Sequence, residues 1–200
     1  MSYPRLIENL ILKLMKLPGV GRRSAERKVF YFLNSTKEEI RALCEDIIRL
    51  KENMMFCRNC NHLSDTETCY ICSDVSRDPS VICVVEDPKD VLAIERTGTY
   101  RGQYHVLLGS VSPADGRGPE DLKIQHLVDR VKKQNIKEVV IATDADTEGE
   151  TTSLCIIREL KSTAVKISRI GLGLPVGSAL EYADMSTLSI SLASRREIEG

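Results

Sequence analysis

Apolar residues recur at helical spacing through the first fifty positions of the chain and predict three helices. The first stripe ends at a Pro18-Gly19 pair, which is typical of a turn. Ser24 is placed to cap a second helix, and a capping box from Ser35 to Glu38 opens a third. The stripes consist of Leu6, Ile7, Leu10, Ile11 and Leu14, then Ala25, Val29, Phe32 and Leu33, then Ile40, Leu43, Cys44, Ile47 and Leu50.

The pattern changes twice after the third helix. Residues 56–80 are polar, rich in cysteine and without a period long enough for a helix or a sheet. From residue 81, short apolar runs alternate with helical stripes, which predicts an α/β domain with a largely parallel sheet. The predicted strands are 81–85, 104–108, 138–142 and 165–170, and the predicted helices are 89–96, 119–133, 148–161 and about 186–198.

Composition and charge narrow the class of protein. The chain has 200 residues and is 42% hydrophobic, which is enough for a buried core. It shows no cationic leader before an apolar stretch and no apolar run of the roughly 18 residues that span a membrane, so we expect a cytoplasmic protein. The formal net charge is −1, but residues 1–52 carry eleven Lys and Arg against seven Asp and Glu. This basic start suits phosphate binding, although ordinary solvated helix faces explain so small an excess equally well.

Four of the seven cysteines stand in two closely spaced pairs, Cys57 with Cys60 and Cys69 with Cys72. Two residues separate the members of each pair, so both sulfurs can reach one ion from a single turn, and two pairs supply the four ligands of a tetrahedral zinc. Four sulfur ligands leave no coordination position for water, which predicts a structural zinc. The alternative is four unrelated cysteines in a loop, which the scarcity of apolar neighbours disfavours.

His62 and the three remaining cysteines are not expected to bind zinc. His62 follows the first cysteine pair by two residues and is expected at the surface. Cys44, Cys83 and Cys155 lie on predicted apolar faces and are expected to be small core residues. Only the two cysteine pairs are therefore expected to bind zinc.

The turn between the first two helices has the composition of a phosphate-binding hairpin. Gly19 and Gly21 permit a tight backbone whose amide groups, at the start of a helix, can face an anion. Arg22, Arg23 and Arg27 follow within the next two turns. Such contacts hold phosphates without reading bases, so they predict DNA binding that is independent of sequence and sensitive to salt. A plain helix–helix turn with a solvated basic face is the alternative.

A group of acids follows two of the predicted strands. Glu86 comes after strand 81–85, and Asp144 and Asp146 come after strand 138–142. The carboxyl ends of parallel strands meet at one edge of a sheet, so these carboxylates are expected to converge there. Since Mg²⁺ prefers oxygen ligands, the group predicts either a Mg²⁺ site or a solvated acidic loop.

Several short motifs occur in order along the chain. They are LPGVG at 17–21, the four cysteines, VEDPKDV at 85–91, GSVSP at 109–113, GPEDL at 118–122, EGE at 148–150, GLPVG at 173–177 and LEYAD at 180–184. Their order and spacing resemble those of the bacterial RecR family of recombination mediators over essentially the whole chain. The resemblance implies a helix-hairpin-helix region at 1–53, a four-cysteine zinc finger at 54–80, a Toprim domain at 81–170 and a C-terminal segment at 171–200 with a Walker-B-like stretch and a helix.

The resemblance also implies partners and an assembly. Members of the family form ring-like tetramers able to encircle DNA, and they act with RecO and RecF to load RecA onto single-stranded DNA coated by its binding protein. The family's DNA-contacting positions after the hairpin fall here on Arg23 and Arg27, while Arg22 stands where a proline is usual.

Two departures from the family bear on its chemistry. Many members have an Asn-Pro type sequence before EGE, whereas this chain keeps Asp144 and Asp146 and so looks more like the metal-binding Toprim domains of topoisomerases and primases. Ser178-Ala179 stands where Gly-Asp is usual, which weakens the transfer of a Walker-B acid to this place.

We therefore expect a non-enzymatic DNA repair and recombination mediator that binds double- and single-stranded DNA. Its cofactors would be a structural Zn²⁺ and a weakly bound Mg²⁺, and its acidic edge would dock a basic partner such as RecO. The alternative is a Toprim-type nuclease in which Glu86 serves as general acid and base while Asp144 and Asp146 hold Mg²⁺. A scaffold that does not bind DNA is disfavoured by the basic hairpin.

Overall fold

The chain folds into two compact units, Met1–Met54 and Met55–Gly200. The computed structural model describes residues 3–171, 173–174, 177 and 179–195. The first unit consists of three helices, α1 (Arg5–Leu14), α2 (Arg22–Asn34) and α3 (Lys37–Asn53). The three helices predicted from the apolar stripes are therefore present.

A small core joins α1 to α2. Ile11 of α1 clusters with Ala25 and Val29 of α2, and each of these residues is at most 2% exposed. Gly19 takes a positive φ of 73° in the turn between the helices, a conformation that residues with a side chain rarely adopt. The glycine hairpin thus lets two short helices fold back and bury a common apolar stripe.

The predicted cap of α2 is wrong. The N-cap residue is Gly21 and the helix begins at Arg22, so Ser24 already lies within the first turn. Gly21 has extended backbone with φ −81° and ψ 169°, which is the conformation that an N-cap residue requires.

The capping box of α3 exists but lies one residue later than predicted. It joins Thr36 to Glu39: the Glu39 amide donates to Thr36 Oγ1 at 3.2 Å, and the Thr36 amide donates to Glu39 Oε2 at 2.8 Å. Ser35 instead closes α2, because its amide and its hydroxyl both donate to the Tyr31 carbonyl. A Ser or Thr three residues before a Glu occurs twice in succession here, and the structure uses the second.

None of the seventeen residues of α3 is buried. Cys44 is exposed, so its prediction as a core residue is wrong. Cys83 is buried in the second unit, as expected, and Cys155 is partly buried against the core there. The apolar stripe of α3 therefore faces solvent in a single chain.

The second unit is built on a four-stranded parallel sheet. A two-stranded antiparallel hairpin precedes it, formed by β1 (Met55–Phe56) and β2 (Leu63–Ser64), followed by the one-turn helix α4 (Tyr70–Ser73). The sheet and its connections are β3 (Asp78–Val85), α5 (Pro88–Glu95), β4 (Gly102–Val106), α6 (Ile124–Lys133), β5 (Glu138–Ile141), α7 (Thr147–Leu160) and β6 (Lys166–Arg169), and α8 (Met185–Ala193) follows. The strands lie in the order β4-β3-β5-β6, all parallel. The predicted α/β class is confirmed.

Both faces of the sheet are covered, by different elements. Side chains alternate along a strand, so Ile82 and Val84 of β3 join the core that contains residues of α6 and α7. Cys83 and Val85 point the other way and cluster with three of the paired cysteines and with Ile71 of α4. The cysteine-rich segment thus has no separate core and shares the one beneath the sheet.

Two predicted helices differ from those observed. Pro119–Asp121 form a 3-10 turn, closed by the Gly118 amide donating to Asp121 Oδ2 at 2.9 Å, and the α-helix starts only at Ile124. The last helix begins one residue before the predicted start and ends at Ala193. Position 198 of the expected helix lies outside the described residues, as do positions 175, 176 and 178 of the expected Walker-B-like stretch. Within the described chain, no helix has the length and apolar character needed to cross a membrane.

Candidate functional site

The two cysteine pairs converge on one point. Cys57 and Cys60 lie on the turn between β1 and β2, Cys69 is the N-cap residue of α4, and Cys72 lies within that helix. The turn is closed by the Cys57 amide donating to the His62 carbonyl at 2.7 Å and by the Asn61 amide donating to the Cys57 carbonyl at 2.9 Å. The four sulfur atoms all lie within 4.8 Å of one another, as the spacing of the pairs predicted.

The contacts among the sulfurs suit a thiolate-bound metal. Cys60 Sγ and Cys69 Sγ are 3.5 Å apart, and the Cys69 amide donates to Cys57 Sγ at 3.3 Å. Hydrogen bonds from the Cys60 and Cys72 thiols lower the pKa of Cys69, and the contact with Cys69 raises the pKa of Cys60. In a tetrahedral site with Zn–S bonds of about 2.3 Å, the sulfurs are about 3.8 Å apart, so the observed spacing fits zinc.

The cysteine turn is bonded directly to the sheet. The Val106 amide, at the end of β4, donates to the Cys60 carbonyl at 2.7 Å, and Asn61 Nδ2 donates to the Val106 carbonyl at 3.0 Å. Asn61 adopts a positive φ of 60° to make the turn. The metal site therefore fixes the position of the edge strand β4 as well as that of its own loop.

His62 does not lie at the surface, so that prediction is wrong. It is only 4% exposed and packs edge-on against Tyr70, with ring centroids 6.3 Å apart. Desolvation lowers its pKa. Among the residues described, the metal-type cluster consists of the four cysteines and does not include His62.

The glycine hairpin presents an open backbone and an uneven set of arginines. An added side-chain atom at Gly19 or Gly21 would meet nothing within 4 Å, so an anion can approach both. Arg22 is committed to acids: its Nη1 and Nη2 donate to the Glu8 carboxylate at 2.8 and 2.9 Å, which raises the Arg22 pKa, and its Nε donates to Glu26.

Arg23 and Arg27, by contrast, are exposed and form no ion pair with any residue that the structure describes. Together with Tyr3, Ser24, Glu26 and Phe30, they line an open cavity of about 490 Å³. Arg23 and Arg27 thus have charge available to a ligand, as does the exposed Lys28.

The predicted acids gather at the carboxyl edge of the sheet. Glu86 follows β3 and is only 7% exposed, and its Oε1 accepts the Asp144 amide at 3.1 Å. Burial, reinforced by the charges of Asp144, Asp146 and Asp90, raises the pKa of Glu86 to about 7. Burial therefore makes this carboxyl at the edge resist ionisation, and the neighbouring acids add to the effect.

Local structure already uses part of this acidic set. Asp146 is the N-cap residue of α7 and its Oδ1 accepts the Gly149 amide at 2.8 Å. A side chain at position 149 would come within 2.1 Å of the Asp144 carbonyl oxygen, so glycine is required for this close approach. Among the described residues, the four cysteines alone form a cluster of three or more metal-type side chains, and that cluster does not include Glu86, Asp144 or Asp146.

Glu148 has a role that its sequence context did not reveal. Its carboxylate accepts the hydroxyls of Ser112 at 2.6 Å and Ser110 at 3.1 Å, which ties the 109–113 loop to α7. The Val111 amide adds a bond to Thr152 Oγ1 at 2.8 Å. Two serines with one residue between them, followed by a proline, were the available signal in the sequence. Their partner Glu148 lies 36 residues beyond the second serine.

We predict that Cys69→Ser removes zinc. A serine hydroxyl is a poor replacement for a thiolate ligand, and structural zinc supplies on the order of 10 kcal/mol to modules of this size. Atomic absorption should show zinc falling from one ion per chain towards none, and the thermal midpoint should fall as well. Cys44→Ser, which changes an exposed cysteine of the first unit, is the matched control and should keep both unchanged. Full zinc in Cys69→Ser would contradict the assignment.

Comparison with known families gives four matches in order along the chain. Residues 7–50 match the RecR helix-hairpin-helix, residues 54–74 the RecR four-cysteine zinc finger domain, residues 80–171 the Toprim domain, and residues 173–196 the RecR C-terminal family. The second match assigns a structural Zn²⁺ to the four clustered cysteines. Three of the four matches are specific to RecR, and together the four cover nearly the whole sequence. The chain therefore belongs to the RecR family, whose role is that of a recombination mediator.

Proposed function

We propose that this protein binds DNA without sequence specificity and, with RecO and RecF, helps load RecA onto single-stranded DNA without catalysing a reaction itself. The observation that carries the proposal is the order of RecR-specific matches, with a basic glycine hairpin in the first of them. Such a protein would act in the cytoplasm.

The proposed DNA contact is the hairpin. Gly19 and Gly21 offer approachable backbone amides, and Arg23 and Arg27 extend unpaired charges beside them. Arg22 belongs to the same surface, but two acids already share its charge, so we assign it a smaller share of binding. Cationic side chains and amides of this kind contact phosphates and leave base edges unread.

The proposed protein contact is the carboxyl edge of the sheet. Asp144 and Asp146 are exposed, and Glu86 lies just beneath them. An acidic edge of this kind suits a basic partner such as RecO, because complementary charge speeds and orients docking. We also propose weak Mg²⁺ binding there, since a divalent ion would relieve repulsion among the carboxylates.

The proposed assembly is a homo-oligomer, up to a tetramer, in which α3 pairs with α3 of a second copy. Its apolar residues Ile40, Leu43, Ile47 and Leu50, followed by the C-cap residue Met54, alternate at spacings of three and four, which is the seam of a coiled coil. Leu43 is 45% exposed, Ile47 59% and Leu50 66%, so none of these three side chains is covered by the residues that the structure describes.

We predict that Arg23→Ala with Arg27→Ala weakens binding to all DNA sequences alike. Each lost phosphate contact removes about one released counterion, so the slope of log affinity against log salt should flatten by roughly 1 to 2. Arg41→Ala with Arg49→Ala removes the same charge from α3 and should leave the slope nearly unchanged. Equal slopes in the parent and the hairpin variant would place the DNA surface elsewhere.

The carboxyl edge is tested with Asp144→Asn combined with Asp146→Asn. Asparagine caps helices as well as aspartate does, so α7 should survive while two charges disappear. We expect retention of the variant on immobilised RecO to drop at least tenfold, and we expect no DNA cleavage by the parent in Mg²⁺ or Mn²⁺. Asp65→Asn with Glu120→Gln removes two acids elsewhere in the unit and should bind RecO normally. Metal-dependent cleavage by the parent that the double variant lacks would instead make the protein a nuclease.

The proposed seam is tested with Leu43→Lys combined with Ile47→Lys. Burying one such aliphatic side chain contributes roughly 1.5–3 kcal/mol, so two central lysines should break the pairing. Light scattering should show the molar mass of the assembly falling to half or less. Glu45→Lys with Glu52→Lys places two lysines on the opposite side of the same helix and should keep the parent mass. If the seam variant also kept the parent mass, α3 would not be the pairing surface.

A further inference from the structure

The amino edge of the sheet, opposite the acids, carries a basic groove. An open cavity of about 560 Å³ lies beside the starts of β5 and β6, where Lys132 and Lys137 line it together with Asn135 and Ser162. Lys133 and Lys161 are exposed immediately next to these residues in the chain. The groove therefore brings together the C-terminal turns of α6 and α7.

The lysines of this groove carry charges that no ion pair neutralises. None of Lys132, Lys133, Lys137 and Lys161 forms an ion pair with a residue that the structure describes. Lys166 on the same edge differs, because it is bonded to Glu138 at 3.2 Å.

Nearby acids are engaged with other groups. Asp78 Oδ1 accepts the amide and the hydroxyl of Ser80, and these bonds, followed by the charge of Lys137, lower the Asp78 pKa. Asp129 accepts the side-chain amide of Gln125 at 3.1 Å. Asp78 therefore offsets part of the charge of Lys137, but among the residues described no acid lies within ion-pair distance of any of the four lysines.

Helix dipoles explain only part of this accumulation. The C-terminal ends of α6 and α7 each carry roughly half a negative charge, which favours cations there and together offsets about one of four lysines. His126 lies with Lys133 in a neighbouring cavity. Burial lowers its pKa first, and the charges of Arg130, Lys123 and Lys133 lower it further against the opposing effect of Asp129.

We propose that this groove, lined by Lys132 and Lys137 and flanked in the chain by Lys133 and Lys161, is a second DNA contact that holds the phosphate backbone of a duplex. Lysine, asparagine and serine are side chains that contact phosphates. None of the ten lining residues is aromatic, so the groove offers no stacking platform for unpaired bases, which favours a duplex over a single strand. The inference rests on the proposed DNA-binding function and adds to it a surface outside the hairpin.

The test compares three variants of the full-length protein on a mixed-sequence duplex of about 30 base pairs. Lys132→Gln with Lys137→Gln should flatten the slope of log affinity against log salt by about 1 to 2, and combining it with Arg23→Ala and Arg27→Ala should add the two effects. Binding to an oligothymidine single strand should change less than binding to the duplex. Both substituted lysines are exposed, so unchanged circular dichroism and zinc content confirm that each variant is folded.

Arg158→Gln with Lys166→Gln is the matched control, because it removes two exposed cations of the same unit that are already paired with acids. A flattening as large as that of the lysine variant would show a general effect of net charge and overturn the inference. An unchanged duplex slope in the lysine variant, with lost binding to polyglutamate, would assign the groove to an acidic protein partner and also overturn it. If only the hairpin variant lowers the slope, the groove inference is wrong while the proposed function stands. If the parent protein binds no DNA at about 50 mM salt, both the groove inference and the proposed function are wrong.

Discussion

Four cysteine sulfurs within 4.8 Å of one another are the constraint on which the second unit depends. Thiolates at that spacing repel, and the segment that carries them has only two short strands and one helical turn to hold them together. A bound cation removes the repulsion and lets the cysteine side chains join the core under Val85 and Tyr104. Through the bond between Cys60 and Val106, the same ion secures β4, an edge strand of the sheet. A small metal site thus supports a face of a much larger domain.

The parallel direction of the strands separates a group of acids at the carboxyl edge of the Toprim sheet from a group of lysines at its amino edge. Residues that follow strands, such as Glu86 and Asp144, gather at one edge, and residues that precede strands, such as Lys137, gather at the other. In an antiparallel sheet these positions would be mixed. A domain built this way can attract a basic partner at one edge and a polyanion at the other without the two competing for one surface.

Features that depend on residues close together in the sequence were predicted from it, whereas features that depend on tertiary packing were not. Cysteine spacing indicated the metal site, and alternating apolar runs indicated the strands and their acidic edge. Periodicity showed the apolar stripe of α3 but not whether its partner lies in the same chain, so Cys44 was misplaced. His62 is buried by Tyr70, a contact that local polarity does not encode. The commitment of Arg22 to Glu8, fourteen residues away, likewise depends on the helices folding back.

Asp146 already forms a hydrogen bond that caps α7, so any ligand of its carboxylate must compete with that bond. Its Oδ1 is bonded to the Gly149 amide, and losing an N-cap bond costs about 0.5–2 kcal/mol. A cation or partner that draws this oxygen away must recover that cost, which lowers its affinity by roughly 2- to 30-fold relative to a free carboxylate. By reciprocity, the first turn of α7 unwinds more readily whenever such a ligand is bound. Ligand binding at the acidic edge and fraying of the first turn of α7 are therefore linked equilibria. They are coupled by the hydrogen bond from the amide of Gly149, the glycine of the EGE motif, to Asp146.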